Sequence, residues 1–290
     1  MRRLLFAELL KVRKRWLPYL LFLVMVAGTA MIIWGSYGDW ASNDPGNAQA
    51  GLRTFVLPWS LVALVDSGQF WGSFLIGVLI ASGVATEYNW GTVRQALIRG
   101  QTRSQYLTMK LAGLATVSAV CLLAALAVGV LFSILATAIA DMPITFDVRG
   151  GPSAPEVVLI VLRAGYGILP YALLAFALTV VSRSTAMGTA GILLFLIGEA
   201  ILSGILSGLG GPAPAIRSLL IGHNVSALLA ANSIGAAEYN TLAFRELPVA
   251  SELPAASTAA LVIAAYCALF LAITYSVFQR RDLGVESGGG

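Results

Sequence analysis

The sequence predicts an all-α integral membrane protein with six transmembrane helices, and three observations carry that prediction. Hydrophobic residues make up 58% of the 290-residue chain and charged residues only 11%, whereas a soluble domain carries about 25% charged residues. Six apolar stretches reach the roughly 20 residues that cross a bilayer as a helix, and none alternates every second residue as a barrel strand would. Helices are also the form in which a lipid-exposed backbone satisfies its own hydrogen bonds. The third observation is the sidedness of charge. In a six-span layout Arg2, Arg3, Lys11, Arg13, Lys14, Arg15, Arg94, Arg99, Arg103, Lys110, Arg183, Arg280 and Arg281 fall on one side. The opposite side has only Arg53, Arg149, Arg217 and Arg245, beside acids such as Asp39, Asp66, Asp141 and Glu156. The positive-inside rule then predicts a multi-pass protein of the cell membrane with both termini cytoplasmic. This distribution also argues against nucleic acid as the partner of the net +4 charge.

Residues 1–16 are expected to form a cytoplasmic amphipathic interfacial helix. Leu5, Leu9, Val12 and Trp16 recur at helical spacing while Glu8, Lys11 and Arg15 share another face. An equally good reading is a simple topology anchor, uncleaved because the apolar run that follows is too long for a signal peptide. The transmembrane domain is expected over residues 17–283, with spans at about 17–34, 67–86, 111–140, 157–181, 186–209 and 258–278, followed by a flexible tail at 284–290. The first outer loop is polar up to Arg53 and apolar over Phe55–Val65, which suggests a short interfacial helix. The third span opens with Thr102 and Gln105 at capping-box spacing. If helical from Arg103 to Ala140 it is about 57 Å long against a hydrocarbon core of roughly 30 Å, so its basic end should project. Pro170 predicts a kink in the fourth span, and Arg183-Ser184-Thr185 is a very short basic turn before the fifth. Between spans five and six, Ile216–Ala230 and Thr241–Ala250 are apolar but too short to cross, and read as re-entrant or interfacial helices on the outer face. No internal repeat marks an inverted-repeat transporter.

Catalytic signatures are lacking. The chain has no GxxxxGK[ST] loop and no G-x-S-x-G elbow, and its one histidine, His223, excludes an HExxH zinc site. His223 is expected at a surface or interface, beside a sequon at Asn224-Val-Ser226. Cys121 and Cys267 lie within spans and read as apolar filler. No catalytic residue and no metal ligand is assigned, and the chain is not expected to be an enzyme.

Two charges fall inside spans, where they are costly and face protein or water. Glu199 lies near the middle of span five and Arg163 lies in span four, close enough in depth for an ion pair. The alternatives are a structural ion pair or hydrogen-bonded network, or a translocation pathway in which Glu199 contacts a polar or cationic substrate. Gly204 and Gly208 have GxxxG spacing and are candidates for a dimer seam.

The segment Glu87–Lys110 differs from every other loop. Val93, Ala96 and Leu97 stand at i, i+3 and i+4 as an apolar stripe, rimmed by Arg94, Arg99 and Arg103, with Gly91 and Gly100 permitting sharp turns at either end. Such a stripe could enter a groove on a cytosolic partner. Glu87-Tyr-x-Trp-Gly91-Thr92-x-Arg94, with Leu97, Arg99-Gly100, Arg103 and Lys110, resembles the signature loop of type-2 ATP-binding-cassette (ABC) permeases. Glu8-Leu-x-Lys11 before span one and Phe278-x-Arg-Arg281-Asp282 after span six fit more loosely, and the likeness extends over nearly the whole chain. The resemblance implies a non-catalytic membrane subunit of an exporter that dimerises, as a homodimer or with a related subunit. Two cytosolic ABC ATPase subunits would carry the ATP and Mg, so this chain binds no cofactor itself. It further implies cytoplasmic coupling helices, with Glu87, Gly91, Thr92, Arg94, Leu97 and Arg99 at the main ATPase contact and Arg183 and Ser184 at a minor one. An ATP-independent transporter or channel using Glu199, and a non-transporting membrane scaffold or resistance protein, remain as alternatives. The substrate is open.

Overall fold

The structure, a computed structural model, describes residues 10–11, 14–42, 51–52, 54–57, 59–98, 100–142, 144, 154–209, 211–232 and 253–280. Among these the long elements are all helices. α1 is Leu17–Ala41, α2 Trp59–Asn89, α3 Thr92–Ile98, α4 Arg103–Ile139 and α5 Ala154–Ser182. α6 is Thr185–Ser207, α7 Ala213–Arg217, α8 Ile221–Ala230 and α9 Ala256–Arg280. Six of them, α1, α2, α4, α5, α6 and α9, are long and apolar enough to cross a membrane. The chain is thus a multi-pass, all-helical membrane protein, as its hydropathy predicts.

The spans run longer than the hydropathy alone suggests. The stretch Phe55–Val65, expected as an interfacial helix, instead supplies the first residues of α2 from Trp59 onward. The polar pair Asp66 and Ser67 does not end it, because helical backbone bonds continue regardless of side-chain polarity. α4 holds 37 residues. α5 passes through Pro170 without interruption. The predicted helix at Ile216–Ala230 resolves into α7 and α8, joined by a turn at Ser218–Leu220. Residues 1–9, the whole of the 241–250 segment, the Arg281–Asp282 end and the 284–290 tail lie outside the described residues, and so does Arg99.

α2 and α5 form the centre of the bundle and run parallel. Val62 and Val65 near the start of α2 share a cluster with Ile160 and Ala164 near the start of α5. Further along, Ile76, Ile80 and Val84 share a second cluster with Ala172, Phe176 and Val180. The turns that follow these two helices therefore emerge on the same side, the side rich in Lys and Arg. α6 approaches this pair closely at Gly188, where a Cβ would stand 2.7 Å from Ala81 Cβ and collide with Thr179 Oγ1. α1 is peripheral: Leu20, Leu23, Val24 and Met31 are exposed and suited to lipid.

Candidate functional site

In the connection between α2 and α4 each described turn is closed by hydrogen bonds. Gly91 adopts φ +65°, a conformation favouring glycine, and Thr92 Oγ1 donates to the Glu87 carbonyl at 3.2 Å. α3 ends in a Schellman arrangement: Gly100, at φ +89°, donates from its N–H to Leu97 O, and Gln101 N–H reaches Ala96 O. α4 then starts with the expected capping box, Thr102 Oγ1 accepting from Gln105 N–H and Gln105 Oε1 from Thr102 N–H.

Glu87 lies beneath this unit, not on its surface. It is 2% exposed, and its Oε1 is 2.9 Å from Lys110 Nζ and 3.0 Å from Lys11 Nζ. Its Oε2 accepts from the Tyr106 hydroxyl. Lys110 is equally buried, so this carboxylate ties α2, α4 and the segment before α1 at one point. A buried charge is tolerated when paired and hydrogen-bonded. The expectation that Glu87 touches a partner directly is corrected, since its side chain is enclosed by its own chain. Arg103 is likewise used internally, donating from Nη1 to Gln279 O at 2.6 Å at the last turn of α9. There a cation satisfies carbonyls that the helix leaves unpaired. Tyr106 stacks on Phe278 beside it, ring centroids 5.8 Å apart.

The apolar stripe of α3 also points inward. Val93 is buried in the second core cluster, with Ala96 and Leu97 packed against it. The outward face is the complementary one: Arg94, Gln95 and Ile98, joined by Trp90 before the helix. Trp90 is 68% and Ile98 75% exposed. Trp90 entered the sequence reading only as part of the quoted motif and Ile98 not at all, although Arg94 and Ile98 are one turn apart and away from the buried stripe. Of the residues expected at the coupling contact, Arg94 is exposed on this face, while Thr92 and Leu97 are half-buried supports.

The turn between α5 and α6 emerges on the same side. Arg183 is exposed with φ +56°, uncommon for a residue with a side chain, and its N–H donates to Thr179 O at 2.8 Å. Ser184 is the N-cap of α6, accepting from Met187 N–H. Its hydroxyl therefore supports the helix first.

The two charges inside the bundle do not pair with one another. Glu199 Oε1 accepts from Gly222 N–H at 2.9 Å, and its Oε2 accepts from Tyr171 OH at 3.0 Å. Gly222 belongs to the first turn of α8, whose N-cap, Leu220, has no capping side chain. Glu199 thus serves as a cap supplied by another helix, its carboxyl oxygens facing the positive end of the α8 dipole. Arg163 lies at the other end, its Nη1 donating to Ala231 O at 2.7 Å and to Asn232 Oδ1 at 2.8 Å. A carboxyl group and a guanidinium clamp a ten-residue helix at its two ends. Of the two structural readings, an ion pair or a hydrogen-bonded network, the structure shows hydrogen bonds to α8 and its end and no Arg163–Glu199 pair. His223 and Asn224 are buried within α8, contrary to the surface expectation. Asn224 Nδ2 donates to Ser218 O and Leu220 O, so the sequon is closed to modification in the folded chain. Gly204 lies on an open face of α6, with nothing within 4 Å of a Cβ built there, and Gly208 is the exposed C-cap.

Among the described residues no group of His, Cys, Asp or Glu is arranged to hold a metal ion. No curated protein matches the chain. A family of proteins of unknown function, DUF2705, matches residues 60–284, a stretch that begins inside α2 and includes the Glu87 hub, the outward face of α3 and the α8 clamp. By this match over most of its length, the chain belongs to the DUF2705 family.

Proposed function

We propose that the chain is the membrane subunit of an ABC exporter, a permease without catalytic activity that dimerises and is driven by separate ATP-hydrolysing subunits. Both termini and the α3 turn would then lie in the cytoplasm of a cell-membrane protein, with ATP and Mg held by two copies of the partner ATPase. The observation that carries this reading is the contrast within α3. Its inward side is fixed to the bundle through Val93, while Arg94, Gln95, Ile98 and Trp90 form an outward face of mixed basic and apolar character. An apolar side chain ringed by positive charge is suited to a groove with an acidic rim. The closed turns and the Glu87 hub would let force applied there reach α2 and α4 without being lost in loop motion. Arg183, on the same side, offers a second, smaller contact.

Glu199 supports this reading over an ATP-independent carrier. Both of its oxygens are engaged by α8 and Tyr171, which favours a positioning role over an ion site. The open face of α6 around Gly204 would suit a second permease subunit.

The test is purification of the tagged chain from its native membranes in mild detergent. We expect a stoichiometric P-loop ATPase to accompany it, and Arg94→Glu with Ile98→Asp to lose that subunit while the chain still inserts and folds. Recovery of the chain without any ATPase, from membranes in which other membrane complexes stay intact, would overturn the proposal.

A further inference from the structure

We infer that Trp71 is the stacking platform of a water-filled solute pathway that takes flat, apolar molecules. The inference rests on reading the chain as a transport protein, but not on the ATPase that would drive it.

Tryptophan favours the depth at which a membrane meets water, where the indole N–H finds a partner. The chain has six tryptophans, and five keep to that depth. Trp16 precedes α1, Trp90 follows α2, Trp59 opens α2, and Trp34 and Trp40 lie in the last third of α1. Trp71 departs from it. The midpoint of the 31-residue α2 is Phe74, less than one turn away. A Cβ built on the adjacent Gly72 would stand 3.5 Å from Cδ1 of Ile168, the midpoint of the 29-residue α5. At this depth, and on a helix that is otherwise central to the bundle, Trp71 is 58% exposed.

The exposed strip is a gap between two neighbours. Gly72 also faces Met25 of α1, and Gly77 faces Ile192 of α6. With about 100° between successive residues, Trp71 points roughly 100° away from the first contact and roughly 120° from the second. It therefore looks out between α1 and α6. Ser67, one turn outward on the same strip, is exposed as well. Among the described residues nothing lies within 4 Å of a Cβ built on Gly68.

The chemistry of the strip names the solute. Ser67, Gly68, Trp71 and Phe74 carry no charge, and the Ser67 hydroxyl is donated to Ala63 O. Phe70 and Trp71 meet edge to face, ring centroids 5.5 Å apart and planes at 89°, which holds the indole plane before any solute arrives. A held aromatic face beside open space suits another flat ring in offset stacking. Lipid chains would gain no stacking there and would leave the indole N–H unsatisfied, whereas water in the gap supplies an acceptor.

The test uses the full chain in proteoliposomes, with Cys121→Ala and Cys267→Ala removing the native thiols, and a cationic methanethiosulfonate that reacts with thiolates in water. Trp71→Cys should be labelled about tenfold faster than Leu123→Cys, because a thiol facing hydrocarbon does not ionise. Leu123 is exposed on α4 and level with Trp71, between the Leu114–Gly83 and Gly129–Leu64 contacts. Equal rates would place Trp71 against lipid and overturn the proposal. With Trp71 intact, neutral acridine should slow the labelling of Ser67→Cys. Adding Trp71→Ala should raise the acridine concentration needed by up to about tenfold, and adding Trp71→Phe should restore most of the protection. Lack of protection by acridine, or full protection in Trp71→Ala, would overturn the assignment of Trp71 as the platform. Disulfide-linked dimers of Trp71→Cys without labelling of Ser67→Cys would make the strip a packed seam between two copies, and would overturn it too. Each of these readouts is independent of whether an ATPase accompanies the chain.

Discussion

Two buried carboxylates are satisfied in opposite ways. Glu87, at the basic end, is neutralised by ammonium groups and a phenol. Glu199, deeper in the bundle, meets no cation among the described residues and is held by a helix N-terminus and a phenol. The first solution joins three chain segments at one point and requires opposite charges in fixed positions. The second needs only a helix aimed correctly, and in return fixes where that helix sits. The lesson is that an ionisable side chain inside a membrane protein can be an architectural part, and that the identity of its partner shows what it is holding.

This contrast predicts unequal sensitivities. The largest loss is expected for Lys110→Ala, which strands a buried carboxylate beside a half-exposed lysine; removing one partner of a buried pair costs about 3–5 kcal/mol. Thermal unfolding of the detergent-purified chain should show it, and Glu87→Gln combined with Lys110→Met should recover part of the loss. Equal stability of Lys110→Ala and the parent would mean that the hub is not energetically coupled. A smaller loss is expected for Glu199→Ala. It removes acceptors from Gly222 N–H and Tyr171 OH, and a buried group left unsatisfied costs about 1–3 kcal/mol. Its specific signature is access to the native thiol of Cys267, which shares a core cluster with Ile221 and Val225 of α8. Maleimide labelling of Cys267 in a Cys121→Ala background should rise in Glu199→Ala and stay near the parent rate in Glu199→Gln, which keeps one acceptor oxygen. The smallest effect belongs to Lys11→Ala, whose side chain is 48% exposed; solvent-screened pairs contribute about 0–1 kcal/mol. Raising the salt concentration should erase most of that difference while sparing the Lys110 effect.

The spans were legible because twenty apolar residues admit few readings in lipid. The start of α2 was not, since Asp66 and Ser67 interrupt the apolar run although the helix continues through them, whereas the capping box at Thr102 marked the start of α4. The helical period of Val93, Ala96 and Leu97 was legible too, but not its direction. A short apolar stripe looks the same whether it meets its own bundle or another protein. Arg163 and Glu199 stood out as costly, yet their partners are backbone groups of α8, and backbone groups carry no mark in a sequence. His223 was misjudged as well, since its polarity does not report that the inner face of α8 is buried.

The length of α4 has a mechanical consequence. Its 37 residues make a rod of about 55 Å, nearly twice the roughly 30 Å of hydrocarbon it crosses. The surplus is taken up by tilt or by overhang. Tyr106 and Lys110 fasten it to α2, Arg103 fastens it to the end of α9, and α3 abuts it. It can therefore act as a beam pivoted in the bilayer, with a handle at the basic end. A sideways displacement at Arg103 would be met by a counter-swing at Ile139 of similar size, on the far side of the membrane and without any change in the helix itself.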